Sequence, residues 1–468
     1  MKTNEGSIQY EHTLDHVLEF FSKAGSIFEG SETFYSNEED ILSLFQRSWI
    51  TDKELTMKAL FWLRDCRGGS GNRSGFRKCI KWLSESKEYY KWVNANISSI
   101  PLYGRWDDLR TLFNTYSEDT ASDIWAYSIF YNKNFLASKW AKRTDIPIYL
   151  KLKKNNIVKN MGEFRRLLSR NRSGIVESKM CSNQWDTINY EHVPSVAMAR
   201  YNNAFEKNDS VRFNEYKDEL KYNNKKINAN VLFPHDCIRT AKYGDSDIAD
   251  AQFDALPDYI NTDKQIMALC DSSGSMDINI SGNIKAIDVS MALSLYTSSK
   301  VDKSNPFYKK FIAFKSESKF VSWDNYKLSE TIYNSDIFDG AIGSTRIDKA
   351  LDLILNSAKL FNLNDDKLPN MLLICSDMQF SQGCLSKDGE IERSLKKWDE
   401  SGYTRPLIVY WNLMPYGGSP STKNDKNICM VSGFSPSILK SILNCEDFDP
   451  VSIMMDTLNK YKVVNPSS

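Results

Sequence analysis

The chain has little that points to covalent catalysis or soft-metal chemistry. Its 468 residues include four histidines, at 12, 16, 192 and 235. His12 and His16 stand four apart on an expected helix. The residues between them do not make HExxH and no third ligand is in view, so a half-exposed helical face is expected there. No Ser-His-Asp or Cys-His arrangement can be assembled from so few histidines. The nine cysteines (66, 79, 181, 237, 270, 375, 384, 429 and 445) are scattered singly, with no CxxC and in odd number. That favours reduced, mostly buried thiols in a cytosol-like compartment, and a cytoplasmic protein is expected. No apolar run reaches the ~18 residues of a membrane span. The opening MKTNEGSIQYEHTLDHV lacks the apolar stretch of a secretory signal, so none is expected. Disorder is not indicated either, with 41% hydrophobic and 26% charged residues. Net charge is absent too: 60 Lys+Arg balance 60 Asp+Glu, which names no partner.

The balance hides an asymmetry. Residues 1–50 carry three basic and nine acidic side chains, whereas residues 51–200 carry 26 basic and 15 acidic. A basic section within a neutral chain points to an anionic partner for that section. At roughly 100–200 residues per domain the length suggests two to four domains. The first ~225 residues read as short helices between turn signals. Ser36 would cap a helix through ILSLFQRSW, and Thr51 with Glu54 makes a capping-box pattern. Further helices are expected at 74–85, 87–97, 105–115, 119–131, 160–170, 193–206 and 210–222. Helix after helix with short connections implies an α-solenoid, HEAT-like region over 1–222, with no fixed repeat visible.

Residues 223–261 are rich in Asn, Asp and Lys, contain Pro234 and Pro257, and read as a connector. Beyond them the hydrophobic pattern changes. IMALC (266–270), FIAF (311–314), FVSW (320–323), MLLIC (371–375), LIVYW (407–411) and ICMVS (428–432) are strand-length apolar runs that alternate with helical segments. Unbroken apolar strands between helices imply a doubly wound, mainly parallel α/β sheet over 262–468.

Directly after the first of these strands stands Asp271-Ser272-Ser273-Gly274-Ser275. In open α/β sheets ligands bind at the carboxyl ends of strands, where Asp271, Ser273 and Ser275 would project. Thr345, before a helix, and Asp377, ending MLLICS, add two oxygen donors. Carboxylate and hydroxyl oxygens suit Mg²⁺, Mn²⁺ or Ca²⁺ and not zinc. Here the chain resembles the von Willebrand factor A (vWA) domain with its metal-ion-dependent adhesion site. The five positions occur in the family's order. The resemblance implies that they hold Mg²⁺ (or Mn²⁺ or Ca²⁺), and that the metal takes an acidic group from a protein partner.

Other segments carry a second resemblance: Arg64-Asp65-Cys66-Arg67-Gly68-Gly69-Ser70-Gly71-Asn72-Arg73, Tyr103-Gly104-Arg105-Trp106-Asp107-Asp108-Leu109, Ser376-Asp377-Met378-Gln379-Phe380, Tyr410-Trp411-Asn412 and Ser432-Gly433-Phe434-Ser435. With them the chain looks like a little-characterised family of vWA proteins of plants, fungi, bacteria and large DNA viruses, which join a helical region to a vWA domain. That architecture is similar to the TROVE-plus-vWA arrangement of the Ro autoantigen, where a ring of HEAT-like repeats binds small structured RNAs and single-stranded RNA ends. The resemblance implies a ribonucleoprotein-type scaffold.

From the residues themselves, an RNA surface would draw on three basic groups: Arg64, Arg67, Arg73, Arg77 and Lys78; Lys139, Lys142 and Arg143 around Trp140; and Arg165, Arg166, Arg170 and Arg172. Guanidinium groups pair bidentately with phosphates, and aromatic rings stack on unpaired bases. The competing reading is a solvated helical face, or internal salt bridges such as Arg105 with Asp107 and Asp108. Those two carboxylates are expected to point to different sides of a helix. The glycine-rich GGSGNRSG (68–75) lacks a P-loop ending and reads as an interhelical turn. The expectation is therefore a non-enzymatic RNA-binding scaffold with a divalent-metal vWA site and no membrane contact. The alternative is a metal-dependent protein assembly module, such as a viral or phage structural component, without RNA.

Overall fold

Apolar residues three and four apart organise the first half. In the Arg73–Glu85 helix Phe76, Cys79, Ile80 and Leu83 face inward, and the Asn72 carbonyl oxygen caps the first turn by accepting the Gly75 N–H at 2.9 Å. In Met161–Asn171, Phe164, Leu167 and Leu168 face inward and Arg165, Arg166 and Arg170 outward. The computed structural model describes residues 15–27, 40–222, 225, 227–260, 265–281, 284–314, 317–333, 346–379, 389–414, 427–435, 438–444 and 448–466. Among these no strand precedes Ile266. The expected helices appear at Arg73–Glu85, Glu118–Phe130, Met161–Asn171, Ser195–Asn208 and Ser210–Lys221. The segment 105–115 is instead a 3-10 helix over Trp106–Leu112, and 87–97 shortens to Tyr90–Ala95. Asp52, not Thr51, caps Lys53–Arg64, accepting the Leu55 N–H at 2.8 Å. Ser36 lies outside the described residues.

The stretch read as a connector contains two helices, Pro234–Tyr243 and Ser246–Asp254. Pro234 opens the first of them, since a first-turn residue needs no N–H. Both pack on helices of the α/β half.

That half is a mixed, mainly parallel sheet. Its strands are β1 (Ile266–Asp271), β4 (Lys310–Phe314), β5 (Ser318–Ser322), β6 (Met371–Ser376), β7 (Leu407–Asn412) and β8 (Ile428–Ser432), in spatial order β5-β4-β1-β6-β7-β8. Only β5, at an edge, is antiparallel to its neighbour. A small hairpin, β2 (Asn279–Ser281) and β3 (Ile284–Lys285), stands apart. Alternate residues of β1 enter different cores. Met267 and Leu269 join the side covered by the helices Ile347–Leu360 and Glu390–Glu400; Ala268 and Cys270 join the side covered by Ala286–Ser299. The connection leaving β1 leads to β4 on one side, and the one leaving β6 leads to β7 on the other. The crevice between the carboxyl ends of β1 and β6 is thus the topological switch point.

The two halves share one hydrophobic core running from Val17 to Tyr461. The His16–Ala24 helix, first among the described residues, packs on β8. The Gly25 N–H donates to Ser432 Oγ at 3.0 Å, and Ser26 Oγ donates to the Met414 carbonyl at 3.1 Å. A Cβ on Gly25 would stand 2.6 Å from Ser432, so only glycine allows this approach. The last residues return to the helical half: Tyr461 Oη donates to Asp65 Oδ2 at 3.0 Å, and Val464 and Asn96 exchange two bonds of 2.7 and 2.8 Å. The glycine-rich turn sits in this seam, with Ser70 Oγ donating to the Gly25 carbonyl and Asn72 Nδ2 to those of Ala24 and Ile27.

His235 is buried in the same seam, with Phe233 and Phe434 rings 5.5 Å away on either side. Its Nδ1 has no hydrogen-bond partner. Burial holds the imidazole below its ordinary pKa; Asp236 opposes this and Arg239 adds to it. A folded pKa below the unfolded value of about 6.5 means that the unfolded chain takes up the proton first, so stability falls as pH drops below that value. Urea midpoints of the wild type should therefore fall more steeply from pH 7 to 5 than those of His235→Phe. Parallel slopes would remove His235 from the account.

Candidate metal centre and basic surface

The backbone register of β1 and β6 builds the centre. Cys270 pairs with Cys375, so the next residues, Asp271 and Ser376, emerge side by side with Asp377 one step on. Asp271 and Asp377 are both fully buried. Asp271 Oδ1 accepts the Ser273 N–H at 2.9 Å, and Ser273 Oγ lies 3.0 Å from Ser275 Oγ. The Ser376 hydroxyl donates to Asp271 Oδ2 at 2.5 Å and lies 3.5 Å from Asp377 Oδ1. Asp377 Oδ1 also accepts the Gln379 N–H at 3.0 Å. Its other oxygen, Oδ2, is buried without a hydrogen-bond partner. Met378 between them has φ +63°, a left-handed conformation unusual for a non-glycine residue and a form of strain that collects at functional sites.

Two carboxylates here share a buried site. Among the described residues no Lys, Arg or His ion-pairs with either. Burial, with the Asp377 charge beside it, pushes the Asp271 carboxyl up to about 7. Burial also raises Asp377, with the Ser275 hydroxyl working the other way. Among the described residues no three His, Cys, Asp or Glu side chains cluster around one point. The donor set is two carboxylates plus hydroxyls, all hard oxygens, and the unpaired buried Asp377 Oδ2 lacks a positive partner. These residues fit a hard divalent cation. The structure brings together Asp271, Ser273, Ser275 and Asp377; Thr345 lies outside the described residues. Sequence reading missed Ser376. Its hydroxyl is legible only once β1 and β6 are known to be neighbours.

The basic candidates divide. Arg64 is buried, its Nε donating to Asp108 Oδ2 at 2.7 Å, so the expectation that it faces a ligand surface is corrected. Arg77 donates to Asp108 Oδ1 at 2.7 Å and Asp107 Oδ2 at 2.9 Å. The two carboxylates therefore converge on Arg77, against expectation, because its guanidinium spans both, Nε reaching Asp108 and a terminal nitrogen reaching Asp107. Lys78 pairs with Asp40 at 2.6 Å and Lys139 with Glu177 at 2.8 Å. Arg172 donates to the Ser138 and Ala141 carbonyls, Arg67 to that of Leu102, and Arg143 to Ser169 Oγ. Lys142, Arg165, Arg166 and Arg170 are exposed. Among the described residues no carboxylate ion-pairs with the last three. Arg73 is exposed as well.

Fold and site define a class: a helical half joined through one core to a mainly parallel α/β sheet, with an oxygen-donor site at its switch point. The chain belongs to the family described as "Domain of unknown function (DUF2828)", whose model matches residues 3–121 and 153–271, about half of the chain. "Domain of unknown function (DUF7788)" matches residues 265–465. The chain is similar to "Uncharacterized protein L728" of Acanthamoeba polyphaga mimivirus, 27% identical over 530 aligned positions, covering 99% of this chain and 88% of that one. Among solved structures it is similar to the Deinococcus radiodurans RO (RSR) protein, with 11% identity, a TM-score of 0.42, and coverage of 96% of this chain and 100% of that one. No helix of the described residues is long and apolar enough to cross a membrane.

The unpaired charge makes a stability prediction. In EDTA, Asp377→Asn removes one of two adjacent buried negative charges and should stabilise the protein by about 1–3 kcal/mol. Mg²⁺ should raise the wild-type melting temperature by mass action and leave that of Asp377→Asn nearly unchanged. Thermal melts with and without Mg²⁺ read both effects; an equal Mg²⁺ response in the two proteins would contradict the cation fit.

Proposed function

We propose that the protein is a non-enzymatic scaffold that grips an acidic partner through a divalent cation held at the switch point of its sheet, as the vWA resemblance implies. The observation that carries this reading is the buried, unpartnered Asp377 Oδ2 beside the buried Asp271 carboxylate. Asp271, Ser273, Ser275 and Asp377 would hold the cation, with Thr345 the fifth donor expected from sequence. Mg²⁺ takes six oxygens, so a protein set of this size leaves room for an oxygen from a partner, which is the chemistry the cation would supply. Ser376 orients Asp271, and the β1–β6 register keeps the two carboxylates adjacent before any cation arrives. Asp271→Ala should lower Mn²⁺ affinity at least tenfold by calorimetry while the far-ultraviolet circular dichroism stays unchanged. Unaltered affinity in that variant would end the reading.

A second reading, RNA binding by the helical half, is favoured by the exposed Arg165, Arg166 and Arg170 on one amphipathic helix with no ion-pairing carboxylates. Arg143 stands beside it through Ser169. Arg64, Arg77, Lys78, Lys139 and Arg172 are engaged internally and do not enter this surface. Each lost phosphate contact should lower the salt slope by about one unit. Arg165/Arg166/Arg170→Ala should bind single-stranded RNA more weakly and less salt-dependently between ~50 and ~200 mM salt, whereas Asp271→Ala should bind as wild type. If the wild type retains no RNA on filters at the low end, the protein-assembly reading stands alone.

A further inference from the structure

A third charged feature belongs neither to the cation site nor to the Met161–Asn171 helix. Asp107 and Asp108, at the start of the Trp106–Leu112 turn, are surrounded by guanidinium groups. Arg64 bonds Asp108 from inside, and Arg77 bonds both carboxylates. Arg105 makes a two-pronged pair with Asp107, at 2.9 Å from Nε and 2.8 Å from its terminal nitrogen. Arg77 and Arg105 thus meet at one oxygen, Asp107 Oδ2. Arg73 lies one helical turn before Arg77, on the same face of Arg73–Glu85. Four guanidiniums surround two carboxylates, an excess of two positive charges.

The excess is concentrated on the outer side. Arg64 is buried, while Arg77 and Arg105 keep about a third of their side-chain surface open, 30% and 32%. Arg73 is exposed and, among the described residues, has no hydrogen bond or ion pair. It is also the first residue of a 13-residue helix, at the positive end of the helix dipole. Its guanidinium is held below the ordinary value by partial burial and by the Arg105 and Arg77 charges, while Asp107 and Asp108 work against them. The other three guanidiniums are fixed by carboxylates, so the cluster cannot relax to separate its charges. Arg105 is further pinned over the Trp140 ring, 4.0 Å from its centroid.

We propose that Arg73, Arg77 and Arg105 form a binding site for a phosphate dianion. A dianion matches the two uncompensated charges: the free Arg73 fork can pair with phosphate oxygens in bidentate fashion, and the N–H groups of Arg77 and Arg105 not used by Asp107 and Asp108 can add single bonds. Asp107 and Asp108 hold two of the forks in place from behind, so only Arg73 has to be ordered when the anion arrives. The site is independent of the RNA reading: phosphate can arrive as the free anion or as a terminal monoester of a strand.

The test uses the full chain in EDTA, so that phosphate cannot bind through a cation, and titrates inorganic phosphate by calorimetry against Arg73→Gln and Arg73→Lys. Arg73 is exposed and outside the core, so both variants should melt as wild type. Phosphate affinity should fall about tenfold or more in Arg73→Gln and less in Arg73→Lys, which keeps the charge and loses the fork. Mn²⁺ affinity should not change. A wild type that binds no phosphate at millimolar concentration, or an Arg73→Gln that binds it equally well, overturns the proposal. Two further arms compare an RNA oligomer with and without a 5′-phosphate, in the Arg165/Arg166/Arg170→Ala background. A preference for the phosphorylated strand that Arg73→Gln abolishes identifies strand ends as the source. Phosphate binding without that preference identifies the free anion. Loss of RNA binding in that background with phosphate binding intact separates failure of one reading from failure of the other.

Discussion

The parallel pairing of β1 with β6 is the constraint on which the rest of the molecule depends. It sets Cys270 against Cys375, and so delivers Asp271 and Asp377 to one buried point. It also sends alternate residues of β1 into two cores, which fixes where the helices must lie. Strand connections diverge at this pair and open the crevice in which the oxygens meet. Two like charges buried together raise each other's cost of ionisation. Among the described residues no neutralising side chain offsets that cost. This asymmetry, more than the presence of serines after a strand, is what supports the proposed cation site.

The seam between the halves answers a different demand. Chain ends cross over: the first described helix lies on β8, and the last residues lie on the helical half. Unusual sequence segments gather here because backbone must approach backbone closely. Gly25 faces Ser432, Gly433 adopts φ +101° against Ser70, and the Trp411 indole N–H donates to the Gly433 carbonyl at 2.6 Å. These glycines and the Tyr410-Trp411-Asn412 strand end serve an internal contact. A seam of this kind joins the two halves, and positions the helical surface relative to the proposed cation site.

Basic residues show how charge counting misleads when the third dimension is absent. The excess of Lys and Arg over 51–200 is real, yet several of these side chains are engaged by the protein's own carboxylates and carbonyls. Arg64 is buried against Asp108 because Gly104, lacking a side chain, lets its guanidinium approach; a Cβ there would stand 2.8 Å from Arg64 Nε. Arg172 satisfies carbonyls that the Phe135–Trp140 helix leaves free at its end. Of the arginines, Arg165, Arg166 and Arg170 gather on one exposed helix face, and Arg73 stands exposed beside the partly open Arg77 and Arg105.

By itself the sequence determined the architecture and most of the centre. Strand-length apolar runs such as IMALC and MLLIC can be satisfied only when both faces are covered, and the switch from helical period to such runs near 260 marks the change of half. Asp271, Ser273, Ser275 and Asp377 were legible because donors directly after strands must project at the sheet's end. Tertiary structure alone decided the rest. Strand order, which made Ser376 part of the centre, depends on long-range pairing that no local pattern encodes. Pro234 stands in the stretch read as a connector and opens a helix, since a first-turn residue needs no N–H. Whether an arginine meets solvent or a buried aspartate is settled by which backbone passes near it, as the contrast between Arg64 and Arg73, nine residues apart, makes plain.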